Sequence, residues 1–252
     1  MDSKNRLNDW GVSREELKLV RFSKFNELEY SRMISAISHD ISNPVAILKS
    51  NIQLLRNNLS SNEKELNAEI LCMCDESTEE LVRFLDNIRL VNSVIKSSIQ
   101  PKFSLFKIEN MLSDLCLDIE SLSLGHRRII VQTNLEIKEF SSDLDLLRRI
   151  LLNLLTNALK FSRAEVILGI SSIQSTLEFV IQDFGIGIPE DEIDQIFSPF
   201  YRGTNVKNTP GMGLGLSIVK ILIETIGGQL FMHSSTGQGT IIRIVIPNEC
   251  TN

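Results

Sequence analysis

The chain has 252 residues, of which 42% are hydrophobic and 23% charged, and its formal net charge is -6. This composition is typical of one large or two modest folded domains, and it excludes a largely disordered chain and a general nucleic-acid-binding surface. No run of about 18 apolar residues predicts a membrane-spanning helix, the polar N-terminus lacks the core of a signal peptide, and four Cys without metal-site spacing indicate reduced thiols, so we expect a cytoplasmic protein.

Residues 1–27 predict either an N-terminal arm or the remnant of an input domain. Ser13 and Glu16 have the spacing of a capping box, which predicts a short helix through Phe22. The arm is too short for a full sensor domain. We therefore expect either a cytoplasmic piece of a longer protein or a protein that a partner controls.

Two long helices are predicted over residues 28–100. Apolar residues recur at steps of three and four over 34–59 and again over 66–95, which is typical of helices with a narrow apolar seam. A polar break at 60–62 separates the two series and predicts a helical hairpin. Because one hairpin cannot bury its seam alone, we infer a homodimer in which two hairpins form a four-helix bundle.

The first predicted helix carries a histidine beside an aspartate. His39 falls between the seam residues Ile37 and Ile41, so its imidazole is expected to point away from the seam, toward solvent. The neighbouring Asp40 makes the pair a nucleophile beside a base or an orienting group. Pro44 is expected to kink the helix one turn later. The alternative is a surface histidine with an incidental aspartate neighbour.

The pattern changes near Gln100-Pro101, which predicts a domain boundary and a second domain over residues 101–252. Helices and strands mixed with hairpins are typical of an α+β sandwich, a mixed sheet packed on helices, and not of a doubly wound sheet. In chain order we predict strands or helices at 103–108 (strand), 109–123 (helix), 127–133 and 137–141 (strands), a long helix opened by Asp143, 165–171 and 177–183 (a strand pair), Leu214 to Ile226 (helix), and 229–234 and 239–246 (strands).

The long helix after Asp143 carries three polar residues on one face. Asn153, Asn157 and Lys160 are spaced by four and three residues, so they project together. Amides on a mostly apolar face need partners. Two amides and one ammonium converging from a rigid helix could hold a metal ion and the phosphates that it bridges. The alternative is a helix with an ordinary polar stripe.

Two glycine-rich segments follow this helix. The segment DFGIGIP begins at Asp183; its glycines let the backbone approach a flat ligand, and its carboxylate can accept a hydrogen bond from an exocyclic amine. The segment GMGLGL at 211–216 enters a helix whose N-terminal amides suit phosphate. Residues 197–210 between them predict a mobile lid with aromatic anchors. Neither segment fits a dinucleotide-binding fingerprint or a P-loop.

Six segments, taken in order over roughly residues 30–247, resemble the transmitter region of a sensor histidine kinase of a two-component system. They are SHDISNPV (the phosphoacceptor box), NLLTNALKFS (the N box), DFGIGIP (the first glycine box), FSPFYRG (the phenylalanine box), GMGLGL (the second glycine box) and GQGT (the closing turn). The resemblance implies a dimeric helical-hairpin domain followed by the ATP-binding fold shared with gyrase, heat-shock chaperone and mismatch-repair ATPases.

For the first domain, the resemblance implies that His39 accepts the γ-phosphoryl group of ATP and relays it to an aspartate on the receiver domain of a response regulator. Asp40 would be its base or orienting partner, and Asn43 stands where the family positions water for dephosphorylating that regulator. Two alternatives stay open. One is a net phosphatase of the regulator, and the other is a non-catalytic dimeric scaffold or phosphotransfer module with a degenerate nucleotide fold.

For the second domain, the resemblance implies that ATP binds with Mg²⁺. Asp183 would pair with the adenine amino group near Thr240, and Asn157, helped by Asn153, would hold the metal. Related ATPases have a glutamate at the position of Asn153; since an amide cannot act as a general base, the site favours transfer to His39 over hydrolysis. The other implied contacts are two cations for the phosphates and the backbone of the glycine boxes, at Lys160, Arg202, Gly185, Gly187, Gly211, Gly213, Gly215 and Leu216.

Overall fold

The structure, a computed structural model, describes residues 17–20, 41, 44–55, 64–95, 100–122, 129–162, 164–173, 175–206 and 213–248. The chain divides into two compact units, one of Lys24–Ser98 and the other of Met1–Ser23 together with Ile99–Asn252. Four of the predicted site residues lie outside the described residues, namely His39, Asp40, Asn43 and Gly211.

The unit Lys24–Ser98 is described through two helical segments, α1 at 44–55 and α2 at Lys64–Ile95. Both lie inside the predicted helices, while the hairpin and the homodimer stay predictions. Ile70 and Ser77 of the predicted seam are buried. Many other large apolar side chains of α1 and α2 are exposed, namely Val45, Ile47, Ile52, Leu54, Leu66, Leu71, Met73, Val82 and Leu85. Among the helices that the structure describes, none is long and apolar enough to cross a membrane.

The elements of the other unit, in chain order, are β1 (Lys18–Leu19), β2 (Ser104–Lys107), α3 (Ile108–Leu122), β3 (Ile129–Asn134), β4 (Glu139–Ser142), α4 (Leu144–Phe161), β5 (Val166–Ile173), β6 (Thr176–Asp183), α5 (Gly215–Thr225), β7 (Gln229–Ser235) and β8 (Gly239–Pro247). They form a six-stranded sheet in the order β1-β7-β8-β6-β5-β3 and a two-stranded sheet of β2 and β4. The pair β3 and β5 is parallel, and the other neighbours are antiparallel.

The core of this unit lies between the large sheet and the helices α4 and α5. Alternate residues of β6 and β8 face the helices, and Leu177, Phe179, Ile244 and Ile246 are fully buried there. The buried residues of α4 recur at helical spacing, at Leu147, Ile150, Leu151, Leu154, Leu155 and Ala158. The two helices contact each other, α4 also contacts β6, and α5 contacts β7. The predicted sandwich, a mixed sheet packed on helices, is therefore confirmed.

The short helix predicted through Phe22 is wrong at the residues that the structure describes. Lys18–Leu19 form the strand β1, which pairs antiparallel with β7, and the amide of Val20 donates to the carbonyl of Leu230 at 3.0 Å. A helix cap contributes only about 1 kcal/mol, whereas the edge of a sheet presents a row of unpaired backbone groups. The edge of β7 therefore outweighs the local helix signal.

An apolar contact accompanies this strand pairing. Leu17 is 8% exposed and belongs to a buried cluster with Val180 and Ile241, against which Phe231 packs. Strand alternation puts these three partners on the outer face of the sheet, away from α4 and α5, because Phe179 and Met232 next to them are buried on the helix side. Leu17 thus covers part of the outer face.

Candidate functional site

A buried carboxylate closes the central strand of the sheet. Asp183 is the last residue of β6 and pairs in register with Thr240 at the start of β8; both are buried. The Asp183 Oδ1 accepts a hydrogen bond from the amide of Gly185 at 2.9 Å. Burial raises the pKa of Asp183, and hydrogen bonds from Gly185 and Thr240 oppose that rise. The site therefore offers an enclosed, oriented acceptor.

A serine that sequence reasoning missed contacts Thr240 from the neighbouring strand β7. Ser234 of β7 is buried; its Oγ lies 2.9 Å from the Thr240 Oγ1, donates to the Gly239 carbonyl at 3.0 Å and accepts from the Ile188 amide at 2.9 Å. Its contacts therefore join β7 and β8 to the loop after β6. Counting the hairpin register back through the GQGT turn would have placed Ser234 opposite Thr240.

The first glycine box is packed against the chain itself. A β-carbon at Gly185 would lie 2.1 Å from the carbonyl oxygen of Phe161, the last residue of α4. Gly187 has a φ of +63°, and a β-carbon there would lie 1.9 Å from the carbonyl oxygen of Ser235. Any side chain at either position would overlap backbone. The two glycines therefore bring the loop after β6 against both the end of α4 and the end of β7.

The long polar-faced helix begins where the sequence predicts. Asp143 caps α4, since its Oδ1 accepts from the Leu146 amide at 3.0 Å, and its Oδ2 accepts from the Lys102 amide at 2.7 Å. In the last turn of α4, Lys160 is exposed, and its Nζ lies 5.2 Å from the centre of the Phe161 ring. The cap and the apolar face together fix which side of α4 is turned away from the core.

The amide face of α4 meets the start of α5. The Asn153 Nδ2 donates to the Arg149 carbonyl of its own helix at 2.9 Å. A β-carbon at Gly215, the first residue of α5, would lie 3.6 Å from the Asn153 Oδ1 and 3.3 Å from the Asn157 Nδ2. Leu216 is half-buried in the first turn of α5. The fold thus brings together two amide side chains and the N-terminal backbone amides of a helix, which attract anions.

The segment before α5 is tied to the phenylalanine box. Gly213 has a φ of +67°, and its carbonyl accepts from the Phe200 amide at 3.0 Å. Phe197 is buried and anchors this segment, as predicted for an aromatic anchor. The Arg202 Nη2 donates to the Val206 carbonyl at 2.8 Å. Residues 207–210 of the predicted lid, and residues 211 and 212 of the second glycine box, lie outside the described residues.

Two further residues of this segment were missed by sequence reasoning. Glu192 is 5% exposed and accepts hydrogen bonds from Thr204, and the Asn205 Nδ2 donates to the Gly187 carbonyl at 2.9 Å. Nothing in the sequence distinguishes Glu192 from its exposed acidic neighbours, and nothing indicates which group the exposed Asn205 contacts, so only the folded chain reveals these hydrogen bonds.

The part of the chain that contains this site matches a known family. Residues 142–249 match the family described as "Histidine kinase-, DNA gyrase B-, and HSP90-like ATPase". Sensor protein kinase WalK of Staphylococcus epidermidis is 28% identical over an alignment of 242 positions, gaps included, and the alignment covers 88% of this chain and 37% of the relative. The chain therefore spans little more than a third of the length of that relative.

Solved structures of histidine kinases share the fold. The Acinetobacter baumannii histidine kinase AdeS has a TM-score of 0.63 at 20% identity, over 84% of this chain and 98% of that one. A structure of the histidine kinase ThkA in complex with the response regulator protein TrrA has a TM-score of 0.61 at 20% identity, over 90% of this chain and 68% of that one. At these identities the likeness concerns the fold alone.

Proposed function

We propose that the chain is an ATP-dependent protein-histidine kinase, on the premise that residues 142–249 match the histidine kinase-, DNA gyrase B- and HSP90-like ATPase family. His39 accepts the γ-phosphoryl group and passes it to an aspartate of a response regulator. The observation that carries the proposal is the contact between the α4 amide face and the start of α5 at Gly215. The backbone amides at a helix N-terminus are suited to bind phosphate.

The proposed adenine end of the site is Asp183. Its carboxylate is oriented by the Gly185 amide and enclosed beside Thr240, so it can accept a hydrogen bond from the exocyclic amine of adenine. A buried acceptor that is left without a donor costs binding free energy. The site should therefore bind purines that lack the exocyclic amine more weakly than adenine.

The proposed metal is Mg²⁺, held by Asn157 with help from Asn153. The donor set fits this ion, because amide oxygens are hard ligands and Mg²⁺ combines a few protein ligands with substrate phosphates. The Asn153 Nδ2 is engaged by the Arg149 carbonyl, which leaves the Oδ1 on the Gly215 side. When bound, the metal neutralises charge on the phosphates.

The chain's own cations and backbone complete the proposed phosphate site. Lys160 and Arg202 would contact phosphate oxygens, and the glycine boxes would supply backbone amides at Gly187, Gly211, Gly213, Gly215 and Leu216. Phosphoryl transfer needs positioning and charge stabilisation more than covalent help. These groups are of the kind that supply both.

Transfer to His39 rather than to water follows from the chemistry of Asn153. The side chain stands where related ATPases have a glutamate, and an amide cannot remove a proton from water. Asp40 beside His39 would orient the imidazole by a hydrogen bond from one ring nitrogen. The other nitrogen would attack the γ-phosphorus, and the bond from that phosphorus to the bridging oxygen would break and release ADP. The proposed site therefore transfers the γ-phosphoryl group of ATP to His39 in preference to water.

The proposed assembly is a homodimer through residues 28–100 that docks a response regulator receiver domain. The exposed apolar side chains of α1 and α2 support the dimer, because helices with an uncovered apolar stripe bury it against a partner. The structure of ThkA, a histidine kinase of similar fold, in complex with a response regulator supports a response regulator as the second partner. Asn43 would position water for dephosphorylating the regulator, giving a phosphatase activity as well.

Incubation with γ-labelled ATP and Mg²⁺ tests the proposal. The protein should take up label that is labile in acid and stable in base, as a phosphohistidine is. The chain has three His, so His39→Ala has two matched controls, His126→Gln and His233→Gln. Label should vanish in the first variant and persist in both controls; label that persists in His39→Ala would contradict the site.

Calorimetry with ATP separates the kinase from the non-catalytic scaffold. A protein that binds no ATP would favour the scaffold with a degenerate nucleotide fold.

For the phosphatase activity, Asn43→Ala should retain labelling of His39 and lose dephosphorylation of the phosphorylated receiver domain. Unchanged dephosphorylation would count against a role for Asn43.

A further inference from the structure

Three consecutive acidic residues follow the first glycine box, and only one of them is buried. Glu190, Asp191 and Glu192 form a short 3-10 turn. Glu190 and Asp191 are exposed, and Glu190 pairs with Lys18 at 2.7 Å, whereas Glu192 is 5% exposed. Burying a carboxylate costs free energy unless hydrogen bonds compensate. The burial of Glu192 therefore needs a local reason.

The partner of Glu192 is a residue of the next turn. Its carboxylate oxygens lie 3.1 and 3.2 Å from the Thr204 amide, and the Oε1 accepts from the Thr204 hydroxyl at 2.6 Å. The fit is close, since a β-carbon at Gly203 would lie 3.0 Å from the Glu192 Oε2. Hydrogen bonds to an ionised acceptor are about twice as strong as neutral ones, so this carboxylate fixes the turn at its first residue.

The same turn contacts the arginine of the phenylalanine box. Thr204–Val206 is a short 3-10 turn, closed by a hydrogen bond from the Val206 amide to the Gly203 carbonyl at 3.1 Å. The Val206 carbonyl then accepts from the Arg202 Nη2 at 2.8 Å. A short chain of contacts thus runs from the Glu192 carboxylate through the turn to the guanidinium.

A second contact ties this turn to the first glycine box. The Asn205 Nδ2 donates to the Gly187 carbonyl at 2.9 Å. The turn is consequently held at two points, by Glu192 at Thr204 and by Gly187 at Asn205. Both points lie before the residues 207–212 that link it to α5.

We propose that Glu192 is a positioning residue for nucleotide binding, which fixes the turn Thr204–Val206 and through it the guanidinium of Arg202. The inference rests on the proposed function, in which Arg202 contacts phosphate. Glu192 itself touches no nucleotide; its role is to hold the arginine in the orientation in which the phosphates meet it, so that little side-chain freedom is lost on binding.

Binding of two probes to the full chain tests the role. Calorimetry with ATP plus Mg²⁺ and with adenosine compares a ligand that has phosphates with one that lacks them. In Glu192→Ala the affinity for ATP should fall about tenfold, the effect of one charged hydrogen bond, and the affinity for adenosine should not change. Glu192→Gln keeps an acceptor for Thr204 and should recover most of the loss. Asp191→Asn, an exposed neighbour in the same turn, should match the wild type.

A double variant shows whether Glu192 acts through the arginine. Arg202→Ala alone should lower ATP affinity, and adding Glu192→Ala should lower it no further. If Glu192→Ala proves unstable by circular dichroism, Thr204→Val removes only the hydroxyl partner, and the ATP affinity should fall about threefold, as expected for a neutral hydrogen bond.

The outcomes separate this role from the function on which it rests. A wild type that binds no ATP overturns both. A wild type that binds ATP, with Glu192→Ala weakening ATP and adenosine equally or additively with Arg202→Ala, overturns the positioning role alone and assigns Glu192 to the stability of the loop.

Discussion

The two ends of the candidate site are built in different ways. The Asp183 end, formed by Asp183, Gly185, Ser234 and Thr240, lies on or directly after three hydrogen-bonded strands. The Arg202 end, formed by Glu192, Arg202 and the turn Thr204–Val206, lies in loop segments between β6 and α5 and is joined by side-chain hydrogen bonds.

This difference decides what a substitution can do. At the Asp183 end the site residues are also residues of the sheet and its closest contacts, so a change alters folding and binding together. At the Arg202 end the contacts are few and local, and such segments open at little cost to the rest of the domain. Changes there should affect nucleotide binding with little effect on global unfolding.

Loss of the acceptor at the Asp183 end should have the largest effect on binding. Asp183→Asn replaces an oriented carboxylate oxygen with an amide, and ATP affinity should fall about 100-fold, in line with about 2.7 kcal/mol for a charged hydrogen bond left unmade. Calorimetry measures the affinity. Asp194→Asn, at an exposed aspartate outside the proposed site, should bind as the wild type does, and equal binding by both variants would remove Asp183 from the site.

A steric overlap between the first glycine box and α4 should have the next largest effect, a loss of stability. Gly185→Ala would put a β-carbon 2.1 Å from the Phe161 carbonyl oxygen, and the free energy of unfolding should fall by about 2 to 3 kcal/mol. Gly237→Ala is a matched control, because Gly237 has a φ of +79° but no atom within 4 Å of an added β-carbon.

For Gly237→Ala only the backbone conformation is unfavourable, and the cost should be about 1 kcal/mol. Urea unfolding of both variants measures the difference. Gly185 does not have a positive φ, so a cost at Gly185 no larger than that at Gly237 would contradict a penalty from its close approach to α4.

The N-terminal strand offers a test of the sheet without touching the site. Leu17→Ala removes a side chain that packs on Val180 and Ile241, and the free energy of unfolding should fall by about 1 to 2 kcal/mol, the low end for a buried leucine because the cluster is small. Leu19→Ala, at a residue that is 46% exposed, should change little. ATP affinity should stay the same in both, and a loss in Leu17→Ala alone would mean that the sheet edge and the site are coupled.

The smallest expected effect is a pH dependence of stability at the Asp183 end of the site. Burial raises the pKa of Asp183 above its ordinary value of 3.8, so the folded protein binds more protons than the unfolded chain between 3.8 and the raised value. The contribution of this group to stability is therefore complete below pH 3.8 and is lost as the pH rises through the raised pKa.

Asp183→Asn removes this loss. Urea unfolding at pH 7 should show the variant more stable than the wild type, and the difference should shrink as the pH falls toward 3.8. A difference that is constant with pH would mean that the carboxyl group is not destabilised by burial.

Much of the fold was predictable because it depends on local patterns. The strands at 165–171 and 177–183, the helix after Asp143 and the helix from Leu214 were predicted within a few residues, because alternation and helical spacing report which face each element buries. The cap at Asp143 was predictable for the same reason, since its hydrogen bond reaches only three residues along the chain.

Other features were not predictable because their partners are distant in sequence. Lys18–Leu19 join Met232 and Phe231 across the sheet edge, and a capping-box spacing gave the opposite expectation. Glu192 looks like its exposed neighbours in the sequence, and only its contact with Thr204 distinguishes it. Such contacts depend on how loops meet after the chain has folded.

The sequence by itself determined the elements of the sandwich other than β1, the packing of a sheet on helices, and the order of the boxes that resemble a histidine kinase. Tertiary structure alone decided that Gly215 lies against Asn153 and Asn157, and that Ser234 supports Thr240. The physical reason is range: propensity, alternation and capping act over a few residues, whereas a binding site is assembled from side chains that only packing brings within hydrogen-bond distance.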